Sequence, residues 1–179
     1  FGYTGASPAL MGACAQRGIS LSFLTPGGRF LARVTGEERG NVVLRRTQYR
    51  LADSGADCVR VARQFITGKL YNSRWVLERA IRDHALCLDT DSLRAVSLLL
   101  ADAARAAAEC ESPDRLRGLE GEAAARYFSV FDQLILRQKE TFFFKSRRRR
   151  PPLDNVNALL SFVYTLLAHD TAAALETVG

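Results

Sequence analysis

A mainly α-helical chain, in which a helical domain follows the end of a β-rich one, is the fold class that the sequence predicts. Three observations carry this. Strand-like alternation of apolar and polar residues is confined to the stretch before Gly40. Beyond it, apolar residues recur at three- and four-residue spacing, the period of a helix with one buried face. With 47% hydrophobic and 25% charged residues, the 179-residue chain has an ordinary globular composition, neither a disordered tail nor a fibrous rod. The expected division is 1–38, the end of an N-terminal β-rich domain, and 39–179, the first part of a C-terminal helical domain.

The elements follow in order. Ser7 and Pro8 are a cap and a first-position proline for a helix that Gly18 ends. Ile19, Leu21 and Phe23 alternate with Ser20 and Ser22, a half-buried strand. Pro26-Gly27-Gly28 turns the chain into a second strand over 29–34, and Gly36 closes the unit. One helix and two strands bury too little to stand alone. With an opening Phe1 and neither a basic nor an apolar leader, the sequence reads as a piece of a longer protein. Helices are expected over 42–53, 56–71 and 73–86, broken near Ser54-Gly55 and at Tyr71-Asn72. Asp91 is the expected cap of a helix over 93–108, with Leu93, Val96, Leu99, Leu100 and Ala103 on one face. Ser112-Pro113 starts a short segment, and an amphipathic helix is expected over 120–139. Asp154 caps another, with Val156, Leu159, Leu160, Val163, Leu166 and Leu167 inward, and Asp170 caps the last.

Net charge is +6, and it is zoned. Residues 29–82 carry +7, residues 145–150 carry +5, and residues 83–122 between them carry −5. Of the 25 cations, 22 are Arg, whose planar fork suits phosphate. A GC-rich genome inflates Arg and Ala together, but codon bias does not zone charge, and zoned positive charge points to a polyanion. Cys14, Cys58, Cys87 and Cys110 form no CxxC pair, so a zinc or redox motif is not indicated, and they read as buried thiols of a reducing cytoplasm. Two histidines, His84 and His169, make no histidine-rich metal site. No unbroken apolar run reaches the ~18–20 residues of a membrane span.

One acid stands out. In a helix from residue 120, Ala124, Tyr127, Phe131 and Leu134 form the apolar stripe, and Glu120, four residues before Ala124, shares their direction. Glu122 falls on the opposite, polar face with Arg126, Ser129, Gln133 and Arg137. An inward charge is costly unless it is paired or bound. Two readings stand: a first-turn carboxylate that favours the helix dipole and pairs with an Arg, or a hard oxygen ligand for Mg²⁺ or Mn²⁺. Gly118 and Gly121 would let backbone or ligand approach it. Tyr127 reads as core, and Phe142, Phe143 and Phe144 as core or dimer contact. Asn157 and Asp154 read as local hydrogen-bonding groups at a helix start.

The segment Gly118-Leu119-Glu120-Gly121 with Ala124-Ala125-Arg126-Tyr127-Phe128 resembles the metal-binding helix of the CRISPR-associated adaptation endonuclease, the first protein of the Cas series. Residues 1–36 resemble the end of that family's β-rich domain. Phe65-Ile66-Thr67-Gly68-Lys69-Leu70-Tyr71-Asn72-Ser73-Arg74 resembles its early helical signature, and 149–164 (Arg-Arg-Pro-Pro-Leu-Asp-Asn-Val-Asn onward) a later helix start. The wording is most similar to the type I-C branch. The resemblance implies a metal-dependent DNA endonuclease and integrase that cuts and joins phosphodiesters at the CRISPR repeat. Glu120 would be a catalytic metal ligand, with a His and an Asp ligand expected beyond residue 179, so that 1–179 alone would be inactive. It also implies double-stranded DNA, a homodimer and the small second Cas protein as partners, Mg²⁺ or Mn²⁺ as cofactor, and a cytoplasmic protein with no membrane partner. Lys69, Asn72, Arg74 and the tract Arg147, Arg148, Arg149 and Arg150 are the candidate DNA-phosphate contacts. The alternative is a non-catalytic helical DNA-binding module, although no convincing helix-turn-helix is present.

Overall fold

The computed structural model describes residues 1–37 and 40–178. Compactness separates two units, residues 1–48 with 157–179, and residues 49–156. The boundary expected between 38 and 39 falls on Glu38 and Arg39, which lie outside the described residues.

In the first unit, α1 (Pro8–Gln16) starts where Ser7 Oγ accepts the Leu10 amide at 3.2 Å. It ends at Gly18, whose φ of 66° is the left-handed conformation that glycine tolerates best. Strands β1 (Leu21–Leu24) and β2 (Phe30–Val34) pair antiparallel, with Leu21 opposite Val34 and an irregularity between Phe23 and Leu24. Thr25 closes the turn: its amide donates to the Arg29 carbonyl at 2.8 Å and its hydroxyl accepts the Arg29 amide at 3.0 Å. Gly28 sits there at φ 82°, and a Cβ on it would lie 2.8 Å from the Phe162 ring. Gly28→Ala should therefore cost about 1–2 kcal/mol from backbone handedness alone, read by denaturant unfolding.

The long helix α6 (Asn155–Val178) supplies the rest of this unit. Arg33 of β2 pairs with Glu176 at 3.0 Å and donates to the His169 carbonyl at 3.4 Å, while Phe30 stacks on the His169 ring at 4.7 Å. α6 runs through Asp170 without a break, so no separate last helix begins there. Nor do its apolar residues all face inward: Val156 is buried, but Leu159, Val163 and Leu167 are exposed. Between residues 155 and 176 it is, by length and composition, apolar enough to cross a membrane. No unbroken apolar run marks this in the sequence, because Asn157, Ser161, Thr165, His169 and Asp170 interrupt it.

α2 (Val42–Asp53), as expected from the sequence, begins in the first unit and ends in the second. In the second unit Ser54 follows it, and its hydroxyl accepts the Asp57 amide and caps α3 (Gly55–His84). α3 is continuous through Tyr71-Asn72. Neither residue breaks a helix, and buried Leu70 and Leu77, seven residues apart, keep one face in register. After a 3-10 turn at Ala85–Cys87, α4 (Thr90–Ala108) folds back along α3. Its cap is Asp89, not Asp91: Asp89 accepts the Ser92 amide at 3.2 Å. Hydrogen bonds from Ser92 hold the Asp89 carboxyl below its ordinary range. Leu93, Val96 and Leu100 are buried as expected, but Leu99 is exposed and Ser97 takes the inner position.

α5 (Pro113–Ser129) starts seven residues earlier than expected and stops ten earlier. Ser112 accepts the Arg115 amide, Pro113 occupies the first position and Asp114 the first turn, a complete start signal. Gly118 and Gly121 lie inside the helix on its exposed side, and each costs it about 1 kcal/mol, offset by Leu116 and Ala123 buried in the core with Leu70, Leu77, Leu93 and Leu100. The helix ends because the following residues pack as aromatics. Tyr127, Phe128, Phe131 and Phe144 meet with ring centroids 4.8–5.7 Å apart, turning the chain through a 3-10 segment at Phe131–Leu134. Phe144 is core, as one reading had it, and Phe143 is exposed. Burial opposes the charge on Asp132, but hydrogen bonds from Lys139 and the Phe144 amide outweigh it and hold that carboxyl below its ordinary range. Of the four thiols only Cys110 is buried; Cys58 and Cys87 are exposed and Cys14 is half-buried.

Candidate active site

Helices α3 and α5 border a groove of about 270 Å³, lined by Val59, Ala62 and Ile66 from one and Leu116, Arg117 and Glu120 from the other. Glu120 is the eighth residue of α5, well past the first turn in which a helix dipole acts. The first-turn reading is thereby excluded. Its partner is Lys69 of α3, whose ammonium forms an ion pair with Glu120 Oε1. The Glu120 side chain is 28% exposed and that of Lys69 is 50% exposed, so the pair sits at the rim of the groove rather than in the core. Glu122 is solvent-facing, with Arg126 at 4.0 Å, as its register predicts.

The other expected site residues separate. Asn72 is exposed on α3. Arg74 is turned inward instead: its Nε donates to buried Ser97 at 3.2 Å and its guanidinium pairs with Glu78 at 3.3 Å, while the Ser97 hydroxyl donates to Glu78. This network satisfies three polar groups at the α3–α4 contact and was missed in the sequence. Ser97 inside the stripe of Leu93, Val96 and Leu100, with Glu78 four residues after Arg74, was the available signal. Arg147, Arg148, Arg149 and Arg150 lie on an irregular segment before Pro151, in a loop as expected. Arg147 donates to the Arg148 carbonyl at 3.0 Å, and Arg149 and Arg150 are exposed. Tyr127 is half-buried against the core, and Asn157 is fully buried.

Among the described residues, no three His, Cys, Asp or Glu side chains come together. A single carboxylate already paired with an ammonium does not fit Mg²⁺ or Mn²⁺, which need several oxygen donors. What the site offers by itself is a half-buried carboxylate, an ammonium paired with it and an apolar groove.

A family model described as CRISPR-associated protein Cas1 matches residues 1–179. The chain is 48% identical over 179 residues to a CRISPR-associated endonuclease Cas1 of Chlorobaculum tepidum, covering all of this chain and 52% of that protein. It is 49% identical over 187 residues to one of Rhodospirillum rubrum, again covering all of this chain and 52% of the other. Among solved structures, a chain of a Cas6-RT-Cas1–Cas2 complex superposes with a TM-score of 0.66 at 27% identity, over 92% of this chain and 17% of that one. The chain thus spans about half the length of these two relatives. Since the family model matches it from first residue to last and the helices superpose on a solved member, the chain belongs to the CRISPR-associated Cas1 family.

Proposed function

We propose that the chain supplies part of a DNA endonuclease and integrase of CRISPR spacer acquisition, acting on phosphodiesters at the repeat. The observation that carries this is Glu120, placed at the rim of the α3–α5 groove in a segment that resembles the family's metal-binding helix. The reaction proposed is a transesterification: a 3′-hydroxyl attacks a phosphodiester of the repeat, one P–O bond forms as the bond to the repeat's own 3′-oxygen breaks, and that oxygen leaves as a hydroxyl with the proton given up by the attacking group. Glu120 alone does not make a divalent-cation site, so metal dependence requires further donors beside it. In this reading Glu120 is the acid that this half of the protein contributes. Double-stranded DNA is the proposed substrate, supported by the positive zones at 29–82 and 145–150. A second copy and the small second Cas protein are the proposed partners, the latter supported by the Cas1–Cas2 complex among the similar structures. The proposed location is the cytoplasm.

Strand-transfer and cleavage assays of the intact protein on repeat DNA, with Mn²⁺ and with chelator, test the reading. Cutting and joining that depend on the ion are expected. Binding of DNA without either reaction would overturn it in favour of a non-catalytic module.

The Arg147–Arg150 tract should act on affinity. Each phosphate neutralised on duplex DNA contributes about 0.9 to the log–log salt slope, so replacing all four arginines by Gln should flatten the slope by up to about 3 to 4 units. The loss should be similar across unrelated sequences, because phosphate contacts carry little base information. An unchanged slope would assign the tract to solvent or to protein.

A further inference from the structure

The arginine tract leaves the core at Phe144, and the chain is tied down on both sides of it. Asp132, in the 3-10 turn Phe131–Leu134, reaches across its loop: Oδ1 accepts the Phe144 amide at 2.7 Å and Oδ2 accepts the Lys139 ammonium at 2.9 Å. Packing on Phe128 and Phe131 fixes the Phe144 ring, while the carboxylate fixes the backbone at the residue before the cationic segment. Beyond the tract, Asn155 Nδ2 donates to the Thr141 carbonyl at 3.0 Å. Both ends of the span 145–154 are thus held to the turn at 141–144, and that span carries Lys145 and all four arginines of the tract. Asp132 does not line the α3–α5 groove, so this arrangement is separate from Glu120.

We infer that Asp132 and Asn155 are positioning residues for the arginine tract: they close the loop 145–154 at its base, so that Arg147–Arg150 meet a phosphate backbone on a closed loop instead of a loose strand. A hydrogen bond to a charged acceptor favours its closed form by about 10-fold when that acceptor is partly solvated, as Asp132 is. Without the Asp132 tie only the Phe144 ring anchors that end, and the loose span grows from 145–154 towards 135–154. Doubling a loop raises the entropic cost of closing it by about 3-fold. That cost falls on DNA binding, which has to order the tract. The inference rests on the DNA-binding reading above and deepens it.

Binding of the intact protein to duplex DNA at one fixed salt concentration tests it. The variants are Asp132→Asn and Asp132→Ala, each made also in a background where Arg147, Arg148, Arg149 and Arg150 are all changed to Gln. Both changes at 132 remove the same charge and release the same Lys139 ammonium, but only Asn keeps an oxygen for the Phe144 amide. The Ala variant should bind about 3-fold or more weakly than the Asn variant, and the two should bind equally in the Gln background. Loss of an acid strengthens attraction to DNA, so weaker binding by Ala is not a charge effect. Equal binding by the two in the arginine background, or a difference that persists in the Gln background, would overturn the inference and leave the DNA reading standing. If Asp132→Ala does not fold, Asn155→Ala, at an exposed position, gives the same readout at the other end of the loop: a loss confined to the arginine background supports the inference, and no loss overturns it. Absence of DNA binding by the wild type would overturn both readings.

Discussion

Glu120→Ala is expected to reduce cleavage and integration by the intact protein to background, with its circular dichroism spectrum and unfolding midpoint close to wild type. The carboxylate sits at a groove rim and its one ion pair, to Lys69, is largely solvated, so its loss should cost the fold less than about 1 kcal/mol. Glu122→Ala, on the solvent face two residues on, should leave the reactions near the wild-type rate. The contrast is the test. Equal losses from both variants would mean that the helix as a whole, rather than the acid at 120, supports the chemistry.

Leu77→Ala and Leu93→Ala should have the largest effect on stability. Both side chains are 0% exposed, one on α3 and the other on α4, within the same core. Truncating a fully buried Leu removes its transfer free energy and leaves a cavity, together about 2–5 kcal/mol. Leu86→Ala, in the connecting 3-10 turn and 102% exposed, should change stability by less than about 0.5 kcal/mol. Denaturant unfolding of the three variants checks this, and comparable losses at 86 and 77 would contradict the core described above.

The elements legible in the sequence are those with a local chemical signal. Ser7 and Pro8 announce α1, Ile19 to Phe23 announce β1, and α2 begins and ends where its apolar spacing does. Sequence and structure part where periodicity runs past a tertiary event. The apolar spacing after residue 120 continues to 139, but packing of Phe131 and Phe144 on Phe128 turns the chain after Ser129. The helix expected from residue 120 starts upstream instead, where Ser112-Pro113 with Asp114 is the stronger start signal. In α6 the helical period predicts a helix, but neither its continuation through Asp170 nor which side is covered, because its apolar residues encircle it.

By itself the sequence determined the mainly helical class, the hairpin, the zoned charge and the candidacy of Glu120, because each is written in residues adjacent along the chain or at one helical period. Only the tertiary structure decided which cation meets Glu120 and which arginine turns inward. Lys69 and Glu120 are 51 positions apart, and Arg74 and Ser97 are 23 apart. Helical spacing settles which face a side chain occupies. It does not settle which helix lies opposite that face, and that is fixed by how α3, α4 and α5 share the core of Leu70, Leu77, Leu93, Leu100, Leu116 and Ala123.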